Sequence, residues 1–179
     1  MSDQIVVGLG HRARAGKDSV ASVLCGSYRF TRLSFAESLK AAACEIFGWD
    51  RRHVDGELKE VVDGYWGFSP RWALQRLGTE AVRNVIGTET WVKSAMLRIA
   101  RRGPRVVITD VRFPNEADAI LGLGGEVWRV DRPGLPPAEH VSETGLLDYG
   151  RWSAVLVNNG GLGELESAVD EIVTRRLGL

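Results

Sequence analysis

The stretch GLGHRARAGKDS, residues 8–19, follows the short apolar run Ile5-Val6-Val7 and precedes a segment of helical character. In open α/β sheets, ligands bind outside the carboxyl ends of the strands, and this stretch follows the carboxyl end of a predicted strand. Gly16-Lys17 lies at the predicted helix start, where backbone N–H groups, the helix dipole and a lysine together bind phosphate. We therefore predict a phosphate-binding loop over residues 8–17, called the phosphate loop below.

The phosphate loop departs from the common pattern, GxxxxGK followed by Ser or Thr, in two respects. Five residues separate Gly10 from Gly16 instead of four, and Asp18 follows the lysine. A carboxylate is a stronger ligand for Mg²⁺ than a hydroxyl, and Ser19 offers a hydroxyl one residue later. The alternative for Asp18 is an acidic residue in the first turn of a helix, which the helix dipole favours.

Strand-like and helix-like segments alternate along the whole chain. The predicted strands lie at residues 4–8, 30–35, 105–109, 126–130 and 154–158. The predicted helices lie at residues 16–26, 37–48, 70–86, 88–102, 114–123 and 162–177. This alternation favours a three-layer α/β fold with a mainly parallel, five-stranded sheet. We expect one domain, with a helical acceptor region at about residues 36–102 and a proline-containing lid segment at about residues 131–150.

A second polar group follows a buried strand in RVVITDVRFPNEA, residues 105–117. Asp110 falls where a strand-end carboxylate can hold Mg²⁺ or its water ligands. Arg112 points to the same side if the strand continues, and its guanidinium can donate two parallel hydrogen bonds to a phosphate. The alternative is a capping carboxylate beside a surface arginine.

Composition excludes several classes of function. The formal net charge is zero, so the chain has no overall field to hold nucleic acid or an anionic membrane. No apolar run approaches the roughly 20 residues of a membrane span, and the N-terminus lacks the apolar core of a signal peptide. We expect a cytoplasmic protein, acting in the host cytoplasm if a phage encodes it. Whether it works as a monomer or a homodimer stays open.

Six segments, taken in order, resemble the phage-type deoxynucleoside monophosphate kinases, a branch of the P-loop nucleoside monophosphate kinases. They are GLGHRARAGKDS, RLSFAESLKAAACEIFG, RWALQRLGTEAVRNVIG, VVITDVRFPNEADAILGLGGEVWRVDRP, HVSETGL and VLVNNGG. The resemblance covers nearly the whole chain, and DVRFPNEA and LQRLGTEAVR are its most specific parts. It implies a P-loop fold and transfer of the ATP γ-phosphate to a deoxynucleoside monophosphate with Mg²⁺.

The residue pattern and the resemblance together suggest roles for individual residues. The catalytic candidates are Lys17, Asp18, Arg112 and Arg132. The candidates for ATP binding are Gly10, Arg12, Arg14, Ala15, Gly16, Lys17, Asp18, Ser19 and, near the adenine, Asn158. The candidates for the acceptor nucleotide are Lys40, Gly78, Thr79, Glu80, Arg83, Trp91, Asp110, Arg112, Arg132, His140, Ser142 and Glu143. The candidate Mg²⁺ ligands are Asp18, Ser19 and Asp110.

Two other functions remain open from the sequence. One is a P-loop kinase for another small acceptor, such as dephospho-coenzyme A or a nucleoside, although LGTEAVR and HVSE favour a nucleotide acceptor. The other is a nucleotide-dependent switch, but the chain lacks an Asn-Lys-x-Asp guanine signature. Trp66, Trp72 and Trp91 are candidates for stacking on a base, and each can equally serve packing.

Overall fold

The computed structural model describes residues 4–136 and 144–179 of the chain. The described residues form two compact units. The first unit combines the chain up to Ser34 with the part from Met96 to Leu179, and the second is Phe35–Ala95. Within the described ranges, no helix has the length and apolar character that crossing a membrane requires.

The first unit is built on a five-stranded sheet. Its strands are β1 (Ile5–Gly10), β2 (Thr31–Leu33), β3 (Arg105–Val111), β4 (Glu126–Asp131) and β5 (Ala154–Val157). They lie in the order β2-β3-β1-β4-β5, and every pair is parallel. Parallel strands need crossover connections, which the helices between them supply. The predicted α/β fold with a five-stranded parallel sheet is thereby confirmed.

Helices occur in both units. They are α1 (Lys17–Tyr28), α2 (Glu37–Phe47), α3 (Arg51–Val54), α4 (Pro70–Gln75), α5 (Thr90–Ile99), α6 (Pro114–Gly122) and α7 (Leu162–Ile172). Two of them continue in wider, π-helical turns, α4 through Arg76–Ile86 and α7 through Val173–Leu177.

Helices cover both faces of the sheet in the first unit. On one face, buried residues of α1 and α7 share a core with side chains of β1, β3, β4 and β5, and Trp128 is the largest fully buried side chain there. On the other face, Ile120 of α6 lies so close to Gly8 that a Cβ there would meet its Cδ1 at 2.5 Å. Strand residues buried on both sides explain the continuous apolar runs in the sequence.

The second unit is helical. Leu39, Ala43, Val54 and Leu74 belong to a core that joins α2, α3 and α4. Ser69 caps α4 by accepting from the N–H of Trp72, and Pro70 is the first helical residue, at the predicted start of this helix.

Some element bounds differ from the prediction. β1 runs two residues further, to Gly10, and β2 is shorter, because the pairing with β3 stops at Leu33 and the Ser34 hydroxyl turns to Asp110 instead. Helix α3 was not predicted. The Asp50 carboxylate begins it by accepting from the N–H of Arg52, a capping signal that is easily missed in so short a helix.

Candidate active site

The phosphate loop connects β1 to α1, and its backbone takes left-handed conformations at three residues. Their φ values are 90° at His11, 61° at Arg14 and 105° at Gly16. Left-handed backbone is uncommon outside glycine, so His11 and Arg14 are held there by their surroundings. Gly16 immediately precedes α1, whose first N–H groups therefore open toward the loop.

Lys17, the first residue of α1, turns its side chain back over the phosphate loop. Its Nζ donates to the carbonyl oxygens of His11, at 3.2 Å, and Arg12. The Arg12 guanidinium donates to the carbonyl of Pro136, which follows β4. Two of the three cations that the sequence assigns to this loop, Arg12 and Lys17, thus donate to main-chain oxygens.

Asp18 has a cationic partner that the sequence analysis missed. Arg32, in the middle of β2, forms an ion pair with the Asp18 carboxylate. The Asp18 side chain is 79% exposed, so the pair is screened by water and open to exchange with another ligand. The adjacent Ser19 is half-buried. Asp18 and Arg32 are fourteen positions apart in the sequence, so no local pattern reveals the pair.

The segment between β4 and β5 and the residue after β5 pack against the phosphate loop. A Cβ on Gly10 would lie 2.9 Å from two ring carbons of Trp152 and 3.1 Å from Leu146 Cδ1. At the other end of the loop, Asn158 Nδ2 donates to the carbonyl of Ala15 at 3.0 Å. A Cβ on Gly16 would approach the same Nδ2 to 2.3 Å. Both glycines are therefore required by close packing.

His11 lies in a positively charged environment. Its Nδ1 is 2.8 Å from Asp131 Oδ1, yet this nitrogen makes no hydrogen bond with the residues described. The pKa of His11 is lowered, first by burial, then by the charge of Arg129, and less by Lys17 and Arg12, while Asp131 opposes the shift. Cations that keep an imidazole neutral also favour a bound anion.

Asp110, near the end of β3, is joined to the segment after β2. Its Oδ2 accepts from the Ser34 hydroxyl at 2.6 Å, and the Ser34 carbonyl accepts from the Arg98 guanidinium at 3.2 Å. Because β2 and β3 are neighbouring parallel strands, their carboxyl ends present these groups at the same edge of the sheet.

Arg112 and Arg132 each follow a strand. The N–H of Arg112 donates to Glu116 Oε2 at 2.7 Å, and the N–H of Phe113 donates to the same oxygen at 3.1 Å. Glu116 is only 3% exposed and closes the first turn of α6, which explains one acidic residue of DVRFPNEA structurally. Arg132 directly follows β4 and is exposed.

In the second unit, Lys40 is positioned by a carboxylate. Its Nζ lies 2.5 Å from Asp55 Oδ1, and Arg51 Nη1 lies 2.9 Å from the other oxygen of Asp55. Burial alone would raise the pKa of Asp55, but the hydrogen bond and charge of Lys40, with a contribution from Arg51, outweigh burial and lower it. Asp55 is thus a charged anchor that the sequence analysis did not identify, because its partners lie on two different helices.

The LGTEAVR segment lies in the π-helical continuation of α4. Gly78 is buried against Leu39, and its carbonyl accepts from Trp91 Nε1 at 2.8 Å. Thr79 is also buried. The indole of Trp91 is thereby fixed by a hydrogen bond within this unit, whereas Trp66 and Trp72 are exposed.

The charged residues of the same segment have partners of their own. Glu80 pairs with Arg76 one turn earlier, and the Arg83 guanidinium donates to the carbonyl of Thr88 at 3.3 Å. The predicted lid residues His140, Ser142 and Glu143 lie outside the described residues.

Several predicted site residues contact one another in the described part of the chain. The structure joins the loop residues Arg12, Ala15, Gly16 and Lys17 to one another and to Asn158. The residues that sequence reasoning missed are the partners of predicted ones: Arg32, Asp55, Asp131 and Trp152. The acidic position of Glu116 at the third residue of α6 is the kind of signal that could have identified its capping role.

Comparison with known proteins identifies relatives over most of the chain. The family model described as deoxynucleotide monophosphate kinase matches residues 51–169. A protein of Acanthamoeba polyphaga mimivirus, named as a deoxynucleotide monophosphate kinase, is 34% identical over 92% of this chain and 94% of its own length. The deoxynucleotide monophosphate kinase of Escherichia phage RB69 is 32% identical, over 59% of this chain and 45% of that enzyme.

Solved structures share the architecture. A dephospho-CoA kinase from Campylobacter jejuni matches with a TM-score of 0.51 at 10% identity, over 97% of this chain and 98% of that one. A shikimate kinase from Acinetobacter baumannii, in complex with shikimate, matches with a TM-score of 0.53 at 14% identity, over 98% and 94%. At such identities the likeness extends to the fold alone, which is that of P-loop kinases.

Proposed function

Because the chain belongs to the deoxynucleotide monophosphate kinase family, we propose that it transfers the γ-phosphate of ATP to a deoxynucleoside monophosphate, giving the diphosphate. The observation that carries the proposal is the family match, together with a lysine at the first position of the helix that follows the glycine-rich loop. Both substrates are cytoplasmic metabolites, so we propose the cytoplasm as the site of the reaction.

On the donor side, we assign the triphosphate of ATP to the phosphate loop. The Lys17 ammonium exchanges the carbonyls of His11 and Arg12 for phosphate oxygens when the triphosphate enters. The loop N–H groups at Gly16 and the start of α1 donate to the same oxygens. Arg12 and Arg14 add positive charge, which offsets the charge on the transferred group.

Mg²⁺ fits the donor groups that the chain offers. Among the residues described, no cluster of three or more His, Cys, Asp or Glu side chains is arranged to hold a metal ion. Mg²⁺ typically takes one or two protein carboxylates and completes its shell with phosphates and water. Asp18, exposed at the start of α1, and Asp110 have this chemistry, with Ser19 as a hydroxyl ligand. The ion would neutralise charge on the β- and γ-phosphates.

On the acceptor side, we assign the monophosphate to the cations Lys40 and Arg83 of the second unit, while Arg112 is proposed to offset charge on the transferred group. Asp55 holds the Lys40 ammonium at 2.5 Å and so presents it in one direction. Asp55 therefore acts in this scheme as a positioning residue for Lys40.

We assign the remaining acceptor candidates either to the nucleoside part of the substrate or to a lid over the bound nucleotides. Trp91, fixed by its hydrogen bond to Gly78, is the candidate for the face of the base. Thr79 and Glu80 of the same unit supply polar groups. We propose that the predicted lid segment excludes water and so limits wasteful hydrolysis.

Steady-state kinetics at saturating MgATP test this assignment. We expect turnover of dTMP, dGMP or dCMP and none of thymidine or deoxyguanosine, because a bare nucleoside leaves the phosphate-binding cations unpaired. Arg83→Ala should lower kcat/KM for the accepted monophosphate by about 10-fold to 100-fold, as expected for the loss of a charge-assisted hydrogen bond.

The matched control is Arg175→Ala, which removes an exposed arginine at the C-terminal end of the first unit. This variant should turn over the monophosphate like the parent protein. Comparable turnover of a bare nucleoside by the parent would instead identify a nucleoside kinase on the same fold.

A further inference from the structure

We infer that Asn158 and Asp131 are positioning residues that clamp the phosphate loop at both ends, so that Asn158 serves the triphosphate of the donor and not its base. The inference rests on the proposed function, since it concerns how the same loop holds ATP. It changes the role of Asn158 from the adenine contact that the family resemblance implies.

The first observation is the contact of Asn158 with the end of the loop. Its Nδ2 donates to the carbonyl of Ala15 at 3.0 Å, and Ala15 is fully buried. The amide also lies against Gly16, where a Cβ would come within 2.3 Å of it. One side chain therefore fixes the two residues that precede Lys17.

The second observation is that Asn158 is itself anchored to the neighbouring strand. Its N–H donates to the carbonyl of Asp131 at 2.7 Å, and Asp131 is the last residue of β4. The Asp131 carboxylate lies 2.8 Å from Arg129 Nε and 2.8 Å from His11 Nδ1. The main chain of Asp131 thus supports the end of the loop, and its side chain faces the beginning.

The third observation explains why this loop needs a clamp. It holds one residue more between Gly10 and Gly16 than the common pattern, and His11 and Arg14 take up the extra length in left-handed conformations. Such conformations are costly for residues with a side chain and persist only where the surroundings impose them. Contacts at both ends of the loop, from β4 and β5, provide that constraint.

A triphosphate that has no base distinguishes the two roles considered for Asn158, which are support of the triphosphate site and contact with the adenine. The probes are MgATP, MgGTP and magnesium tripolyphosphate, with affinities measured by calorimetry on the full chain. Asn158→Ala should weaken all three by the same factor, roughly fivefold to tenfold for one neutral hydrogen bond. The KM of the acceptor monophosphate should stay at the parent value, which distinguishes loop positioning from general damage to the fold.

The control is Asn159→Ala, which removes the neighbouring exposed amide and should leave tripolyphosphate binding unchanged. Should Asn158→Ala not fold, Asp131→Asn tests the other end of the clamp, because it keeps the main-chain bond to Asn158 and alters the contacts of the carboxylate with His11 and Arg129. That variant should also weaken tripolyphosphate binding without a change in acceptor KM.

Two results would overturn the clamp. One is a loss confined to MgATP with tripolyphosphate binding intact, which assigns Asn158 to the base. The other is parent-like binding of all three probes by a folded Asn158→Ala variant. A parent protein that binds neither MgATP nor tripolyphosphate would instead refute the proposed function itself.

Discussion

Replacing Glu116 by alanine should destabilise the protein strongly, although Glu116 contacts no substrate in the proposed mechanism. The carboxylate is 3% exposed and accepts from two main-chain N–H groups, those of Arg112 at 2.7 Å and Phe113 at 3.1 Å. A hydrogen bond to a charged group contributes about 1.5–3 kcal/mol, and each donor left buried without a partner costs about 1–3 kcal/mol. Allowing for water that enters the vacated space, we expect a loss of about 3 kcal/mol in the free energy of unfolding.

Urea denaturation of Glu116→Ala, Glu116→Gln and the parent protein measures this loss. Glu116→Gln keeps the shape and one acceptor oxygen, so it should lose about half as much. Glu166→Ala, which removes an exposed carboxylate on α7, is the matched control and should stay within about 0.5 kcal/mol of the parent. If Glu116→Ala unfolds at the parent midpoint with an unchanged slope, the carboxylate does not hold the start of α6, and the reasoning fails.

Three further residues of the phosphate loop and the first residue after it yield testable expectations. Lys17→Ala should lower kcat by about 100-fold or more with the thermal unfolding curve unchanged, and normal turnover would remove this lysine from the mechanism. Asp18→Ala should raise the Mg²⁺ concentration needed for half-maximal rate, with partial recovery in Asp18→Ser; identical Mg²⁺ titrations would leave Asp18 as a helix-start residue. Gly10→Ala should lower the free energy of unfolding by about 1–3 kcal/mol, because its Cβ would meet Trp152 at 2.9 Å. Gly26 lies in α1 with open space around it, so unfolding measurements on Gly26→Ala should show a free energy of unfolding up to about 1 kcal/mol higher than that of the parent. The pKa of His11 is lowered in the folded state, so the unfolded chain binds the extra proton and the free energy of unfolding should fall as pH drops below about 6.5. His11→Gln should flatten this dependence of stability on pH. The same pH dependence in the variant and the parent would argue against a buried neutral imidazole.

Local signals in the sequence determined much of the fold and part of the site. A short apolar run, two glycines and a lysine specify a strand, a turn and a helix start within 15 residues, so β1, the phosphate loop and α1 were predictable. Ser69-Pro70 likewise marked the beginning of α4, because capping and a fixed proline φ act over a single turn. The alternation of such segments was sufficient for the parallel α/β architecture.

Only the tertiary structure decided which distant residues meet these local elements. Asn158 contacts Ala15 across 143 positions, and Gln4 reaches the carbonyl of Ile99 across 95. Such partners are set by the strand order β2-β3-β1-β4-β5, which places β1 between β3 and β4 and brings the ends of β4 and β5 to the loop. Periodicity reports which face of an element is buried, but it carries no information on what covers that face. Loop support by Asp131 and Asn158 is therefore a property of the folded chain, since hydrogen bonds and close packing depend on distances in space that residue spacing does not determine.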